Sequence, residues 1–165
     1  MHVRRVLVPT AAMLWLLWVA PSVDAAGSNI LSTAATVAGT CKVIAAPGVL
    51  DFGTIDSTAA SDAAASTTFL IKCTKGTASA AASDDGGLYF AAGRRMRHSV
   101  NATTFLPYAV SYSGDAGFVG AGFGSAAPSQ LVRITGAITP AQFQNAFVTA
   151  VGQVYVDTVT ITVNP

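Results

Sequence analysis

The chain has 165 residues, of which 52% are hydrophobic and 10% are charged, and its formal net charge is +1. Such a nearly neutral chain lacks the long-range attraction that brings proteins to nucleic acids or anionic membranes. It contains no Glu and only two His, which leaves few side chains for acid–base catalysis.

The first 25 residues have the three parts of a secretory signal peptide. Residues 1–5 are basic, residues 6–20 are apolar, and Ala25 is the small residue required before a cleavage site. A membrane anchor is the alternative, but the apolar run is short for a span of roughly 20 residues and contains Pro9. We therefore expect export and cleavage after Ala25, with no membrane span in the mature chain and a mature net charge of zero.

Residues 26–40 are small and uncharged, and their apolar character alternates weakly. In an extended conformation one face would carry Leu31, Thr33, Ala35 and Val37. This pattern fits either a flexible tail or an extended segment that pairs with another strand.

The mature chain has two cysteines, Cys41 and Cys73. An even number of cysteines in an exported protein usually forms disulfides. Closing a loop of about 32 residues would stabilise the fold by about 3–4 kcal/mol. A metal site would need about four ligands, and His98 is the only histidine left after cleavage. The sequence therefore predicts a Cys41–Cys73 disulfide.

Short runs of β-branched and aromatic residues, separated by turn signals, continue to the end of the chain. The predicted strands before the last one are residues 41–46, 67–73, 78–83, 88–92, 94–98, 104–112 and 130–138. Residues 56–66 and 114–129 are predicted loops, and Pro107 indicates a sheet edge or a bulge. Many short strands with little helix predict an antiparallel β-sandwich.

The last predicted strand, residues 154–163, alternates most clearly. One face carries Tyr155, Asp157, Val159, Ile161 and Val163. So apolar a strand should not stand at an open sheet edge, because its free N–H and C=O groups invite pairing with another chain. Either an earlier segment or another molecule is expected to pair with it.

No motif predicts catalysis, a cofactor or a metal. His98 stands in the basic run of residues 94–98, and the chain has no G-x-S-x-G sequence. The basic run fits a solvated strand edge, which we favour, or a site for a sulfated or phosphorylated glycan. The sequence therefore indicates a protein that is not an enzyme.

Several segments together resemble the spore coat protein U domain family, which includes the subunits of archaic chaperone–usher pili. They are Thr40-Cys-Lys-Val43, Leu50-Asp-Phe-Gly-Thr54, Phe69-Leu-Ile-Lys-Cys-Thr-Lys-Gly76, Gly93-Arg-Arg-Met96, Pro107-Tyr-Ala-Val-Ser-Tyr112 and the strand of residues 154–163. The resemblance extends over nearly the whole mature chain.

This resemblance implies an all-β, incomplete immunoglobulin-like sandwich that lacks its last strand and is completed by donor-strand exchange. The chain then divides into a signal peptide (1–25), an N-terminal donor extension (26–40) and a pilin-like domain (41–165). The expected donor residues are Leu31, Thr33, Ala35 and Val37. Residues expected to line the acceptor groove are Phe69, Ile71, Tyr155, Val159, Ile161 and Val163.

The function implied by the family is that of a structural subunit of a surface fibre for adhesion and biofilm formation. Its expected partners are a periplasmic chaperone, an outer-membrane usher and neighbouring pilus subunits, and no nucleic acid. The chain would pass through the periplasm and end at the cell surface. Two alternatives stay open, a structural protein of a spore or dormant-cell coat and a secreted carbohydrate-binding β-sandwich.

Overall fold

The computed structural model describes residues 31–165. The predicted signal peptide and the first part of the predicted extension lie outside the described residues. The chain divides into two units, Met1–Ala35 and Thr36–Pro165. In the first unit, residues 31–35 are exposed and belong to no helix or strand. The second unit contains all of the strands described below.

Nine strands and a short helix follow in chain order within residues 36–165. They are β1 (Cys41–Ala45), β2 (Ala63–Cys73), β3 (Ser83–Asp84), β4 (Arg95–His98), β5 (Phe105–Pro107), β6 (Ala109–Ser113), β7 (Gln130–Ile138), α1 (Pro140–Phe143), β8 (Tyr155–Val156) and β9 (Ile161–Thr162). No helix in this part of the chain has the length and apolar character needed to cross a bilayer.

The first layer is an antiparallel sheet with the order β1-β2-β7-β6. Its long central pair, β2 and β7, keeps one register from Ala63 opposite Ile138 to Ile71 opposite Gln130. Alternate residues of β7 are buried, starting at Val132, because successive side chains of a strand point to opposite faces. The predicted strand over residues 130–138 is confirmed.

The second layer is formed by a three-stranded sheet, β5-β4-β8, and a two-stranded sheet, β3-β9. The chain passes between the layers where β5 ends at Pro107 and β6 begins at Ala109. Proline has no N–H group for a sheet ladder, so it suits the position at which pairing with one sheet ends. The predicted strand over residues 104–112 is therefore two strands in different layers.

The hydrophobic core lies between the layers in two clusters. Around Phe69, Ile71, Val132 and Ile134 of the first layer pack Ile161 and Val163 from the opposite side. The second cluster combines Leu106, Tyr108, Ile138 and Phe143 with Met96 and Tyr155. The predicted all-β class and the antiparallel sheets are confirmed.

The Cys41–Cys73 disulfide is also confirmed, with an Sγ–Sγ distance of 1.98 Å. The two cysteines are directly opposite in the antiparallel pair of β1 and β2. The bond therefore joins the outer strand of the first sheet to an inner strand.

Further strand predictions also differ from the structure. Strand β2 begins at Ala63 and not at Thr67, so the end of the predicted loop 56–66 is in fact paired with β7. The predicted strand over 88–92 is wrong, because these residues form turns that expose Leu88 and Phe90. The predicted strand over 78–83 is reduced to an isolated bridge at Ala78 and the two residues of β3.

Candidate functional site

The last segment of the chain, residues 153–163, alternates between half-buried and exposed side chains. The half-buried side chains include Tyr155, Val159, Ile161 and Val163, as the sequence predicts. The predicted single strand over 154–163 is wrong in one respect, because the segment forms two short strands, β8 and β9, with residues 157–160 between them outside any strand. The alternation of burial continues through these four residues, so the segment presents one continuous inner face.

One edge of this segment pairs with earlier parts of the chain. Strand β8 pairs with β4, and β9 pairs with β3. Between and beyond these strands the main-chain N–H groups of Ser99, Leu88 and Ala80 donate to the carbonyls of residues 154, 158 and 164, at 2.8, 2.9 and 2.9 Å. An earlier segment therefore protects this edge of the strand.

The opposite edge is open. Within residues 31–165, the main-chain N–H and C=O groups of Asp157, Val159 and Val163 have no main-chain hydrogen-bond partner. Unpaired groups of this kind along a strand form a template on which a further strand can pair. The open edge is therefore the first element of the candidate site.

A groove runs beside the open edge. It consists of two cavities of about 340 Å³ and about 350 Å³ that share Pro47, Val159 and Ile161 in their linings. One rim is the final segment from Tyr155 to Ile161, and the other is the chain that follows β1, residues 47–50. Seven residues of strand extend over ~20 Å, so the groove is long enough for a short extended peptide.

The walls and floor of the groove are mostly apolar. Its lining includes Leu50, Phe52, Met96, Tyr108, Val110, Tyr112 and Ile134, from both layers of the sandwich. An apolar groove beside free main-chain groups matches recognition by strand addition, in which pockets receive alternate side chains of the added strand.

The Leu50-Asp-Phe-Gly segment packs closely against the sheet at Gly136 of β7, where no side chain keeps it at a distance. A Cβ atom on Gly136 of β7 would lie 2.7 Å from Phe52 Cζ and 2.8 Å from Leu50 Cδ2. The segment then turns at Gly53, which has a φ of 63°, and the Gly53 N–H donates to Asp51 Oδ1 at 2.8 Å. Gly136 therefore allows the segment to lie close enough to form a wall of the groove.

Two tyrosines on the groove floor are tied to carboxylates of the second layer. The Tyr108 hydroxyl donates to Asp157 Oδ2 at 2.7 Å, and the Tyr112 hydroxyl donates to Asp84, which also pairs with Arg94. Burial, followed by these hydrogen bonds to carboxylates, raises the pKa of both tyrosines. The hydroxyls therefore stay protonated and connect the two layers across the groove.

The Asp84 carboxylate is almost fully enclosed, with its side chain 1% exposed. Burial opposes its ionisation, but hydrogen bonds from Tyr112, the Gly86 N–H and Arg94 outweigh burial and lower the pKa of Asp84. The carboxylate is therefore charged at neutral pH and holds three different segments of the chain together.

The predicted groove residues occupy two kinds of position. Tyr155, Val159 and Ile161 line the groove, and Phe69 lines its second cavity. Ile71 and Val163 pack in the adjoining core cluster, where Ile71 is fully buried. Sequence reasoning did not assign Tyr108, Val110 and Tyr112 to the groove, although their period-two spacing in the strand after Pro107 could have indicated a common face.

The predicted donor residues are exposed. Leu31 and Val37 are 86% and 83% exposed, and residues 31–39 have exposed side chains throughout. Hydrogen bonds to Thr74 hold the end of this extension. The Ala38 carbonyl accepts from the Thr74 hydroxyl at 3.4 Å, and the Thr40 N–H donates to Thr74 Oγ1 at 3.1 Å while the Thr40 carbonyl accepts from the Thr74 N–H at 2.8 Å.

His98 is unsuited to catalysis. Its side chain is buried, with 2% exposure, and Nδ1 accepts the N–H groups of Val100 and Asn101 at 3.2 and 3.0 Å. The ring lies edge-on to Phe147 and Tyr155. A base that is enclosed and already occupied by two donors cannot reach a substrate proton, so His98 is a structural residue.

Fold and groove together define a class of β-sandwich domain with one open strand edge beside an apolar groove. The chain belongs to the Spore Coat Protein U domain family, whose sequence profile matches residues 28–162. The resemblance found in the sequence is thereby confirmed. Among curated proteins, none matches the chain.

Among solved structures, the chain is similar to the crystal structure of the CsuC-CsuE chaperone-tip adhesion subunit pre-assembly complex from archaic chaperone-usher Csu pili of Acinetobacter baumannii. The identity is 23% and the TM-score is 0.43. The match covers 78% of this chain and 40% of that chain, so this chain spans less than half the length of the matched one.

Proposed function

We propose that the chain is a structural subunit of an archaic chaperone–usher pilus and polymerises by donor-strand complementation. The observation that carries this proposal is the open edge of residues 157–163 beside the apolar groove. Such an edge promotes aggregation unless it is covered. An added strand would pair with the edge and fill the groove at the same time.

The donor in this proposal is the N-terminal extension of a neighbouring subunit. Leu31 and Val37 are almost fully exposed in the chain itself, so their burial in another subunit would contribute the full hydrophobic gain. At about 1.5–3 kcal/mol for each large aliphatic side chain, the two together would stabilise the complex by roughly 3–6 kcal/mol. Thr33 and Ala35 lie between them and would add less.

The same site accounts for the other partners. Before assembly the groove would be occupied by a strand lent by a periplasmic chaperone, and an outer-membrane usher would exchange that strand for the donor extension. The product is a surface fibre for adhesion and biofilm formation. This function is structural and uses no catalytic residue.

A fusion in cis tests the proposal. Residues 26–37 are deleted, and a copy of residues 28–40 is joined through a flexible linker after Pro165. The fused segment can then enter the groove of its own domain. We expect the melting temperature to rise by about 10 °C or more over the deleted chain, since each kcal/mol shifts it by several degrees.

The alternation of the donor supplies matched controls. In the fused copy, Val37→Asp places a charge on the face expected to enter the groove, and Thr36→Asp places it on the opposite face. The first substitution should abolish the stabilisation, and the second should preserve most of it. A fusion that gives no stabilisation, or two substitutions with equal effects, would refute the assignment of this donor.

A further inference from the structure

The outer face of the three-stranded sheet carries two arginines that stack on aromatic rings. Arg95 Cζ lies 3.9 Å from the ring centre of Phe105, and Arg97 Cζ lies 4.4 Å from that of Tyr89. The Arg95 Nε–H also donates to the Tyr89 carbonyl at 2.7 Å. We call these four residues the arginine ladder.

Strand register places the ladder on the side of the sheet away from the groove. Arg97 is directly opposite Phe105 of β5 and Val156 of β8, and directly opposite residues share a face. The alternate residues of β4 point inward, because Met96 lines the groove and His98 is buried. The ladder is therefore a surface separate from the groove.

The two guanidinium groups have no carboxylate partner. Within residues 31–165 the one ion pair is Arg94–Asp84, and Asp157 accepts the Tyr108 hydroxyl on the inner side. Arg95 and Arg97 are half-buried. Stacking on a ring occupies the face of a guanidinium, and the Tyr89 carbonyl accepts the Arg95 Nε–H. The Nη–H groups of the two arginines are therefore the donors left for a planar anionic group.

The stacking also fixes the positions of the two cations before any ligand arrives. The two arginines are two residues apart on one strand, so their Cα atoms are about 7 Å apart. A pre-organised pair of fork-shaped donors loses less side-chain entropy on binding than two free arginines. The predicted solvated strand edge for this basic run is wrong, because β4 lies in the middle of the three-stranded sheet. The stacked geometry fits the alternative, a site for an anionic glycan.

We propose that the arginine ladder binds an anionic polysaccharide through its sulfate or carboxylate groups. Two cations on an almost neutral chain give too little long-range attraction for a nucleic acid or a membrane surface. They suffice for short-range paired hydrogen bonds, and the exposed Val156, directly opposite Arg97, with the exposed Val154 two residues before it offers an apolar surface for sugar rings. This inference is independent of the proposed strand acceptor.

The test measures binding of the full exported chain to heparin oligosaccharides, polygalacturonate and neutral dextran by titration calorimetry at physiological ionic strength. We expect binding to one or both anionic polymers and none to dextran. The Arg95→Gln/Arg97→Gln double variant should weaken binding about tenfold or more, because it removes charge-assisted hydrogen bonds.

Arg133→Gln is the matched control, since Arg133 is an exposed arginine on β7 in the other sheet. It should leave the affinity unchanged. If the double variant does not fold, Arg95→Lys/Arg97→Lys keeps both charges but loses the forks, and we expect it to bind more weakly than the parent chain. The proposal is overturned if no anionic polymer binds, if Arg133→Gln weakens binding equally, or if anionic lipid vesicles bind more tightly than either polysaccharide.

Discussion

At the scale of single residues, one of the two carboxylates that connect the layers is almost fully buried. Asp84 of β3 accepts hydrogen bonds from Tyr112 of β6 and from Arg94, which precedes β4. Removing one partner from such a group leaves the others buried and unpaired. Asp84 therefore links β3, β6 and the residue that precedes β4 through its side chain.

We predict that Asp84→Asn destabilises the domain by about 2–4 kcal/mol at pH 7. The folded-state pKa of Asp84 is lowered, so its stabilising contribution is fully present above the unfolded-state pKa of about 4. It is lost as the pH falls through the lower folded-state value. The difference between parent and variant in urea unfolding should therefore shrink below pH 4.

Asp62→Asn is a suitable control for this prediction, because Asp62 is exposed. It should change the free energy of unfolding by a few tenths of a kcal/mol at most. A gap between Asp84→Asn and the parent chain that stayed constant from pH 7 to pH 2 would contradict the proposed role of the carboxylate.

At the scale of elements, the wall of the groove depends on the absence of a side chain at Gly136. We predict that Gly136→Ala costs about 1–3 kcal/mol, since the new methyl group would meet the side chains of Leu50 and Phe52. Those side chains would move, and the stabilisation gained from the fused donor segment should fall as well. Urea unfolding of the variant, with and without the fused segment, measures both effects.

Gly93→Ala provides the comparison, because a Cβ atom there would meet no atom within 4 Å. It should leave the stability nearly unchanged. If both glycine variants behaved alike, close packing of the Leu50-Asp-Phe-Gly segment on β7 would not be what requires Gly136.

The elements also show what the sequence could and could not predict. Residues 130–138 and 154–163 alternate because one face of each is covered, and this pattern is visible in the sequence. The start of β2 is not evident from the sequence, because Ala63, Ala64 and Ala65 have the small side chains typical of a loop. These residues pair with Ile138, Ala137 and Gly136, where small side chains suit the segment packed over the sheet.

The sequence likewise predicts only one part of the candidate site. The period-two alternation of the strand at its rim is visible in the local sequence. The opposite rim, residues 47–50, becomes part of the site only when distant segments fold together. The residues at 88–92 had the composition of a strand, but their apolar side chains point to solvent. Local pattern does not reveal which face of a short segment will be covered.

At the scale of the whole molecule, the disulfide holds the outer strand of the first sheet. Among the strands of residues 31–165, β1 pairs only with β2, and the groove rim follows directly after it. We predict that Cys41→Ser/Cys73→Ser lowers the free energy of unfolding by about 3–4 kcal/mol. A reducing agent should lower the melting temperature of the parent chain and leave that of the double variant unchanged. Equal responses of both proteins to reduction would contradict this account.

The position of the disulfide has a mechanical consequence for the proposed fibre. The donor extension leaves the domain at Thr40, one residue before Cys41, so tension along the fibre enters each subunit at the end of β1. Hydrogen bonds alone would let β1 peel away one pair at a time. The covalent bond instead passes the load directly to β2, which is held between two neighbouring strands and must be sheared along its whole length to move.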